Sequence, residues 1–430
     1  MHAPPSEPAQ PGGRRCRRPP RPRREGDLRP TDVAGSFFLC GTAFLAAAAL
    51  AGIVEAVSPW PWGRWLALHL AFVGGVSQLV LGASQFFAGA FLATDPPPRN
   101  LVRAQIASWN LGAVLLALAI PAGLSAAIWP AVGLLLAALG LWSAAVVAMW
   151  RRSLRRSPWA VAWYCSATLF LGLGMVAGSL LAHGTPWPHG DLLGAHMALN
   201  LGGWFGASIV GTLHTFFPSL TQSRLRFPRL QSGAYLAWVA GVAALAVGYA
   251  WGLDPLALGG WLALCGGALA LLVNVAGCLR EAVGPLSLPA RLVGFAQPFL
   301  LAALALATVT AFDRGPAEAL SGSTRAALGT LLVAGWIGLT VIGALLHLLA
   351  VVIRVRGGFA ARMPAPRPLP DSALTLAAAV GIAAVALTQE LGAGQWHAVA
   401  KLLLTAAYAG LAARVAVLAA GLLRRARPSL

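Results

Sequence analysis

Lysine is almost missing from this 430-residue chain: Lys401 stands alone, and nearly all of the 31 basic residues are arginines. Acidic residues are also scarce, 13 in all, and charged residues make up only 10% of the chain against 58% hydrophobic. That balance excludes an ordinary soluble domain, whose surface needs far more charge. The few carboxylates fall at the ends of apolar stretches or between them, as with Glu55, Asp95, Asp191, Asp254, Asp313 and Glu390. A proton-coupled carboxylate relay inside a membrane therefore has no residues to run on. No Gly-x-x-x-x-Gly-Lys-Ser/Thr loop occurs, which removes nucleotide drive from this chain. Period-two alternation is absent, which removes a transmembrane barrel.

What the chain does have is long apolar runs. Stretches of about 20 apolar residues cross the hydrocarbon core as helices, because lipid cannot satisfy free backbone groups. Twelve such spans are expected near 33–57, 64–93, 104–125, 128–150, 159–182, 192–219, 232–252, 256–279, 290–312, 327–354, 372–389 and 396–423. The fold class is thus all-α and polytopic, and the lipid bilayer is its first partner.

The net charge of +18 resembles a nucleic-acid footprint only until its distribution is read. Arginines crowd residues 14–29 and then recur in every second loop, at Arg99 and Arg103, Arg151 to Arg156, Arg224 to Arg229, Arg280 and Arg291, Arg354 to Arg367, and Arg424 to Arg427. The alternate loops hold little beyond Arg64, Arg314 and Arg325. This is the positive-inside pattern, which puts both termini in the cytoplasm and leaves no role for nucleic acid. Residues 1–30, rich in Pro and Arg, are too polar to bury a core and read as a disordered tail. They lack the short basic start of a cleaved signal peptide, so the first helix is expected to stay as an anchor.

The chain also repeats itself. Gly203-Trp-Phe-Gly-Ala-Ser-Ile-Val-Gly-Thr-Leu213 returns as Gly335-Trp-Ile-Gly-Leu-Thr-Val-Ile-Gly-Ala-Leu345, with a weaker echo at Gly74-Gly-Val-Ser-Gln-Leu-Val-Leu-Gly82. The offsets, 129 and 132, are the length of four membrane helices with their loops. The spans therefore divide into three pseudo-repeated blocks, 33–150, 159–279 and 290–423, with the repeated phrase on the second helix of each. The phrase glycines would let helices approach closely, or would equally admit a flat ligand.

Histidines lie on the repeated helices. His69 and His196 fall near the outer face within two residues of the same depth, roughly 3 Å at the helical rise. His397, at the outer start of the last helix, is a possible third member of that layer, with Lys401 one turn deeper. His214 lies five helical turns after His196 and aligns with His347, giving an inner layer about 27 Å below, where the first block offers Gln85. His69 and His347 therefore cannot serve one metal. Neutral imidazole is a common ligand for haem iron and copper. A lone intramembrane histidine can also do no more than bond a neighbouring carbonyl. Asn200, one turn beyond His196, could orient that ring or bond across helices. Lys401 either snorkels to the surface or meets an anionic group, and no partner for Arg414 is evident. The five cysteines form no close pair and no Cys-x-x-Cys-His motif. Four sit in spans as small apolar residues, and Cys16 sits where acylation is an option.

Twelve helices in three four-helix blocks, with histidines on the second helix of each, resemble subunit I of the haem–copper oxidases. A closer resemblance is to NnrS-like membrane proteins and bacterial membrane domains of the copper-oxidase type. It is carried by Trp65-Leu-Ala-Leu-His69, by Ala195-His196-Met-Ala-Leu-Asn200-Leu-Gly-Gly-Trp204-Phe-Gly206, by Gly211-Thr-Leu-His214-Thr-Phe-Phe-Pro218, and by Gly335 to His347. The resemblance implies haem b or copper in the outer half of the bundle, ligated by His69 and His196. Departures matter as much. The seventh span has no histidine, so the paired copper ligands of true oxidases are missing. The tenth lacks two close outer histidines, and Tyr164, Tyr235, Tyr249 and Tyr408 do not sit where a redox tyrosine belongs. A proton-pumping oxygen reductase is not expected. No cupredoxin domain follows, so an electron donor would be another chain, a cupredoxin or a cytochrome. A non-redox permease or an assembly subunit are the competing expectations. The permease would show Gly/Pro-broken helices, with Pro298 the best break point.

Overall fold

The computed structural model describes residues 30–153, 158–357 and 368–426. The Arg/Pro-rich tail, Cys16, and Arg155, Arg156, Arg362, Arg367 and Arg427 lie outside the described residues. Among the described residues every regular element is helical. Taken as continuous rods they are α1 (Pro30–Val57), α2 (63–92), α3 (Arg99–Ala119), α4 (Ser125–Arg152), α5 (Pro158–Ala182), α6 (192–221), α7 (Leu230–Trp251), α8 (Asp254–Arg280), α9 (Leu288–Arg314), α10 (322–357), α11 (Pro368–Glu390) and α12 (Gly394–Ala426), with a four-residue helix Pro316–Ala319 before α10. Eleven of the rods are long and apolar enough to cross a membrane; α6 is not among them. His196, Asn200 and His214 are what dilute its hydropathy. Their outward faces carry large apolar side chains such as Leu236, Val309 and Leu402, exposed by 64%, 67% and 71%, as expected of surfaces that meet lipid rather than water. Pro298 lies inside an unbroken α9.

Packing follows the same scheme throughout. α1 lies on α2, α5 on α6 and α9 on α10; α3 pairs with α4, α7 with α8 and α11 with α12. α4 and α5, then α8 and α9, carry one group of four to the next, and α1 touches α10.

Lipid gives no hydrophobic drive to helix pairing, so close approach at small residues has to do the work. A Cβ at Gly74, Gly203 or Gly335 would come within 2.2, 2.4 and 2.8 Å of Phe44, Phe170 and Phe299. Eight residues further on, a Cβ at Gly82, Gly211 or Gly343 would come within 2.6, 2.3 and 2.8 Å of Phe37, Trp163 and Val293. The space above these glycines is filled by side chains of the preceding helix, which is the packing reading.

α2, α6 and α10 each contain a π-helical segment, Leu70–Val76, Ala198–Gly206 and Thr330–Gly338. A π turn accommodates an extra residue and misaligns the i→i−4 ladder, so carbonyls need other donors. Trp109 donates its indole N–H to the Val73 carbonyl at 2.9 Å, Trp238 does the same to Gly202 at 2.9 Å, and the Tyr408 hydroxyl donates to Ala334. Residues 73, 202 and 334 are spaced by 129 and 132, the period of the repeated phrase. The side chain that reaches each carbonyl lies on the third helix of the first two groups but on the fourth of the last.

An apolar cavity of about 80 Å³ lies where α2, α6 and α10 meet. Its wall takes the same positions from each: Leu79, Ser208 and Thr340; Ala83, Thr212 and Ala344; Phe87, Phe216 and Leu348. Each of these triplets again runs at 129 and 132. At the arginine-rich end of α11 and α12, Arg414 pairs with Asp371 at 2.8 Å. The sequence showed no partner for Arg414 because the acid is carried by a different helix, at its first turn.

Candidate metal-binding site

The N-terminal halves of α2 and α6, the layer expected to be the outer one, carry His69 and His196, both half-buried. Helical geometry places His69 one turn after Trp65, and its Nδ1 lies 2.8 Å from the Trp65 carbonyl while the two rings stack at 4.1 Å. His196 is held differently. Its Nδ1 lies 2.9 Å from the carbonyl of Gly174 on α5, so a neighbouring helix fixes the ring. A carbonyl can only accept, and so Nδ1 of each imidazole carries the proton. The lone pair of each neutral ring is then left on Nε2, the atom that binds metals, and no described residue bonds either Nε2.

Asn200 lies one turn beyond His196. Its amide donates to the His196 carbonyl at 2.7 Å and stands 3.2 Å from His196 Nδ1. With Nδ1 donating to Gly174, that second approach is packing and not a hydrogen bond. Two glycines of α5 make room for this arrangement. A Cβ at Gly174 would meet the Asn200 amide at 2.5 Å, and one at Gly178 would meet the His196 ring at 2.7 Å. Sequence reasoning passed over both. The signal was a Gly174-x-x-x-Gly178 pair, the small-residue spacing of close helix contacts.

The remaining histidines are placed elsewhere. His397 Nδ1 bonds the Thr388 hydroxyl at 2.9 Å across the α11–α12 turn, and Lys401 is exposed. The bond to Thr388 takes only Nδ1 of His397. His183 bonds the Ser179 carbonyl at 2.7 Å and stacks on Trp129. In the inner layer, His214 is 2% exposed, bonds the Val210 carbonyl at 2.8 Å, and leaves Nε2 buried with no partner. His347 meets the ring of Phe216 edge-on at 5.5 Å. Gln85 turns to Gln105 in its own group, 3.1 Å away, and not to the histidines. Among the described residues no three His, Cys, Asp or Glu side chains converge on one point.

His69 and His196 thus each present an imidazole of fixed tautomer whose Nε2 no described residue bonds. Haem iron takes two axial imidazoles, and copper takes imidazole readily, so the donor chemistry fits either. No family model matches the chain, and no curated protein matches it either.

Proposed function

We propose that this chain is a multi-pass protein of the bacterial plasma membrane that holds haem b or copper between His69 and His196. In this reading α6 also crosses the bilayer, giving twelve spans in three related four-helix blocks with both termini in the cytoplasm. The recurrence of π segments, glycine contacts and cavity positions at one period supports the block reading. Arginine on alternate loops supports the orientation. The single observation that carries the metal site is the pair of Nδ1–H groups pinned to carbonyls, with both Nε2 lone pairs left open.

The bound group would supply reversible one-electron chemistry. This chain's own residues do the rest. Trp65 and Gly174 set ring orientation, Gly178 admits the His196 ring, and Asn200 packs against it. Lacking a membrane carboxylate relay, the protein moves electrons or meets nitric oxide or copper stress, and does not pump protons. A cupredoxin or a cytochrome would suit it as electron donor.

The test is a reduced-minus-oxidised spectrum with metal analysis on purified protein. Haem b bands or stoichiometric copper are expected in the parent and in His183→Ala, and loss of both in His69→Ala/His196→Ala. Full loading of the double variant, or a folded parent with neither colour nor metal, removes this reading.

A further inference from the structure

The π segments of α2 and α6 lie directly beside the two candidate ligands. That of α2 begins at Leu70, the residue after His69, and that of α6 begins at Ala198, two residues after His196. In α10 the segment begins at Thr330, and no histidine precedes it within that rod. The donors sort the same way. Each histidine-bearing rod takes an indole N–H from a tryptophan 36 residues beyond the carbonyl, whereas α10 takes a phenol from α12.

α6 shows what such a turn does. Its start is fixed where the Asp191 N–H donates to the Tyr249 carbonyl at 2.7 Å. Its inner part is fixed where Gly211 lies under Trp163, whose ring a Cβ would meet at 2.3 Å. His196 belongs to the outer part, and its ring reaches Gly174 on α5. The π segment joins the two parts and is short of donors, for the Ala207 N–H is shared among the carbonyls of Gly202, Gly203 and Trp204. Trp238 closes over this joint. It is 1% exposed and donates to the Gly202 carbonyl at 2.9 Å. It also packs on Gly206, where a Cβ would meet its ring at 2.7 Å and the Leu201 carbonyl at 3.1 Å.

Helix geometry sets the consequence. An α turn holds 3.6 residues, so closing a π turn to an α turn takes one residue out of the winding. Whatever lies before it then rotates by about 100°. A rotation of that size would turn His196 away from Gly174. The indole N–H opposes it by satisfying a carbonyl that the widened turn leaves poorly served. We infer that Trp238 is a positioning residue for His196, holding the angle of its ring through the π turn of α6. The consequence for a metal rests on the reading proposed above, while the effect on the ring does not.

The test measures the ring directly, by solid-state NMR of metal-free protein in lipid. Histidine rings carry ¹⁵N and glycine carbonyls carry ¹³C, and the parent should show a short contact between His196 Nδ1 and the Gly174 carbonyl, assigned by its absence in His196→Gln. Trp238→Phe should lose most of that contact. Benzothienylalanine at the same position, with the indole's shape but no N–H, should lose it too. Tyr408→Phe removes the corresponding donor from α10 and should leave the contact unchanged. In loaded protein, Trp238→Phe should weaken metal or haem binding by about 10-fold. A contact retained in folded Trp238→Phe overturns the inference. Loss in Trp238→Phe but not with benzothienylalanine assigns the effect to bulk and overturns the role of the N–H. Loss in Tyr408→Phe as well would be general loosening, and overturns it equally. A parent without metal whose His196 contact still depends on Trp238 removes the metal reading and leaves the role of Trp238 standing.

Discussion

His196 and His214 lie on the same helix, α6, and are held in opposite ways. In the outer pair, His196 is oriented by a carbonyl on α5, and two glycines of α5 clear the space for it and for Asn200. In the inner pair, His214 bonds only the carbonyl of its own preceding turn, and nothing outside α6 reaches its Nε2. A ring fixed by another helix is held by tertiary structure, which is what a ligand needs if its position is to survive side-chain motion. A ring bonded to its own turn is what any buried helical histidine adopts. The source of the orienting carbonyl separates His196 from His214, while His69, bonded to the Trp65 carbonyl of its own turn, is held as His214 is.

The largest test of that difference is at Gly178. Gly178→Val would drive a branched side chain into the His196 ring, since even a Cβ there comes within 2.7 Å. Metal or haem affinity should fall by about 100-fold, the upper range for losing an orienting neighbour. Gly172→Val is the matched control, because its Cβ would meet only Leu136 at 3.9 Å. If equilibrium loading curves for the two variants coincide, α5 does not position the outer site.

A smaller effect is expected at Asn200. Asn200→Ala removes the amide that packs against the His196 ring at 3.2 Å but leaves the Gly174 carbonyl in place, so affinity should drop by about 10-fold. Titration with reduced copper or haemin in detergent reads this directly. A loss as large as that of Gly178→Val would make Asn200, and not Gly174, the main orienting group.

Much of the scaffold was legible in the sequence, and the reason is physical. Hydropathy reports whether a segment can sit in lipid, so the described rods begin and end near the expected bounds, as at 63–92 against 64–93. The 129 and 132 period was visible because packing glycines recur with it. What stayed hidden depends on rotation about a helix axis and on its neighbours. The filling of Gly203 by Phe170, the pairing of Arg414 with Asp371, and the Gly174 carbonyl behind His196 each join residues from different helices. The π segments were hidden for the same reason, because what stabilises them is an aromatic donor on another helix. His397 shows the converse: depth placed it with His69 and His196, while rotation gave its ring to Thr388.

The smallest expected effect is the most discriminating, and it concerns His214. Replacing it by Leu keeps a bulky apolar group against Trp163, whose ring lies 6.4 Å away and nearly parallel. The substitution removes the Nδ1 bond to Val210, a net contribution of about 0.5–1.5 kcal/mol, but also removes a buried nitrogen without a partner, a penalty of about 1–3 kcal/mol. The Val210 carbonyl keeps its place in the helix ladder. Stability of His214→Leu should thus equal or exceed the parent by up to about 2 kcal/mol. Tryptophan fluorescence during thermal unfolding in detergent, with 16 Trp as reporters, measures it. Metal and haem content should be unchanged. A halved stoichiometry would mean that the bare Nε2 of His214 is a ligand, and the inner pair would then join the outer one as a second site.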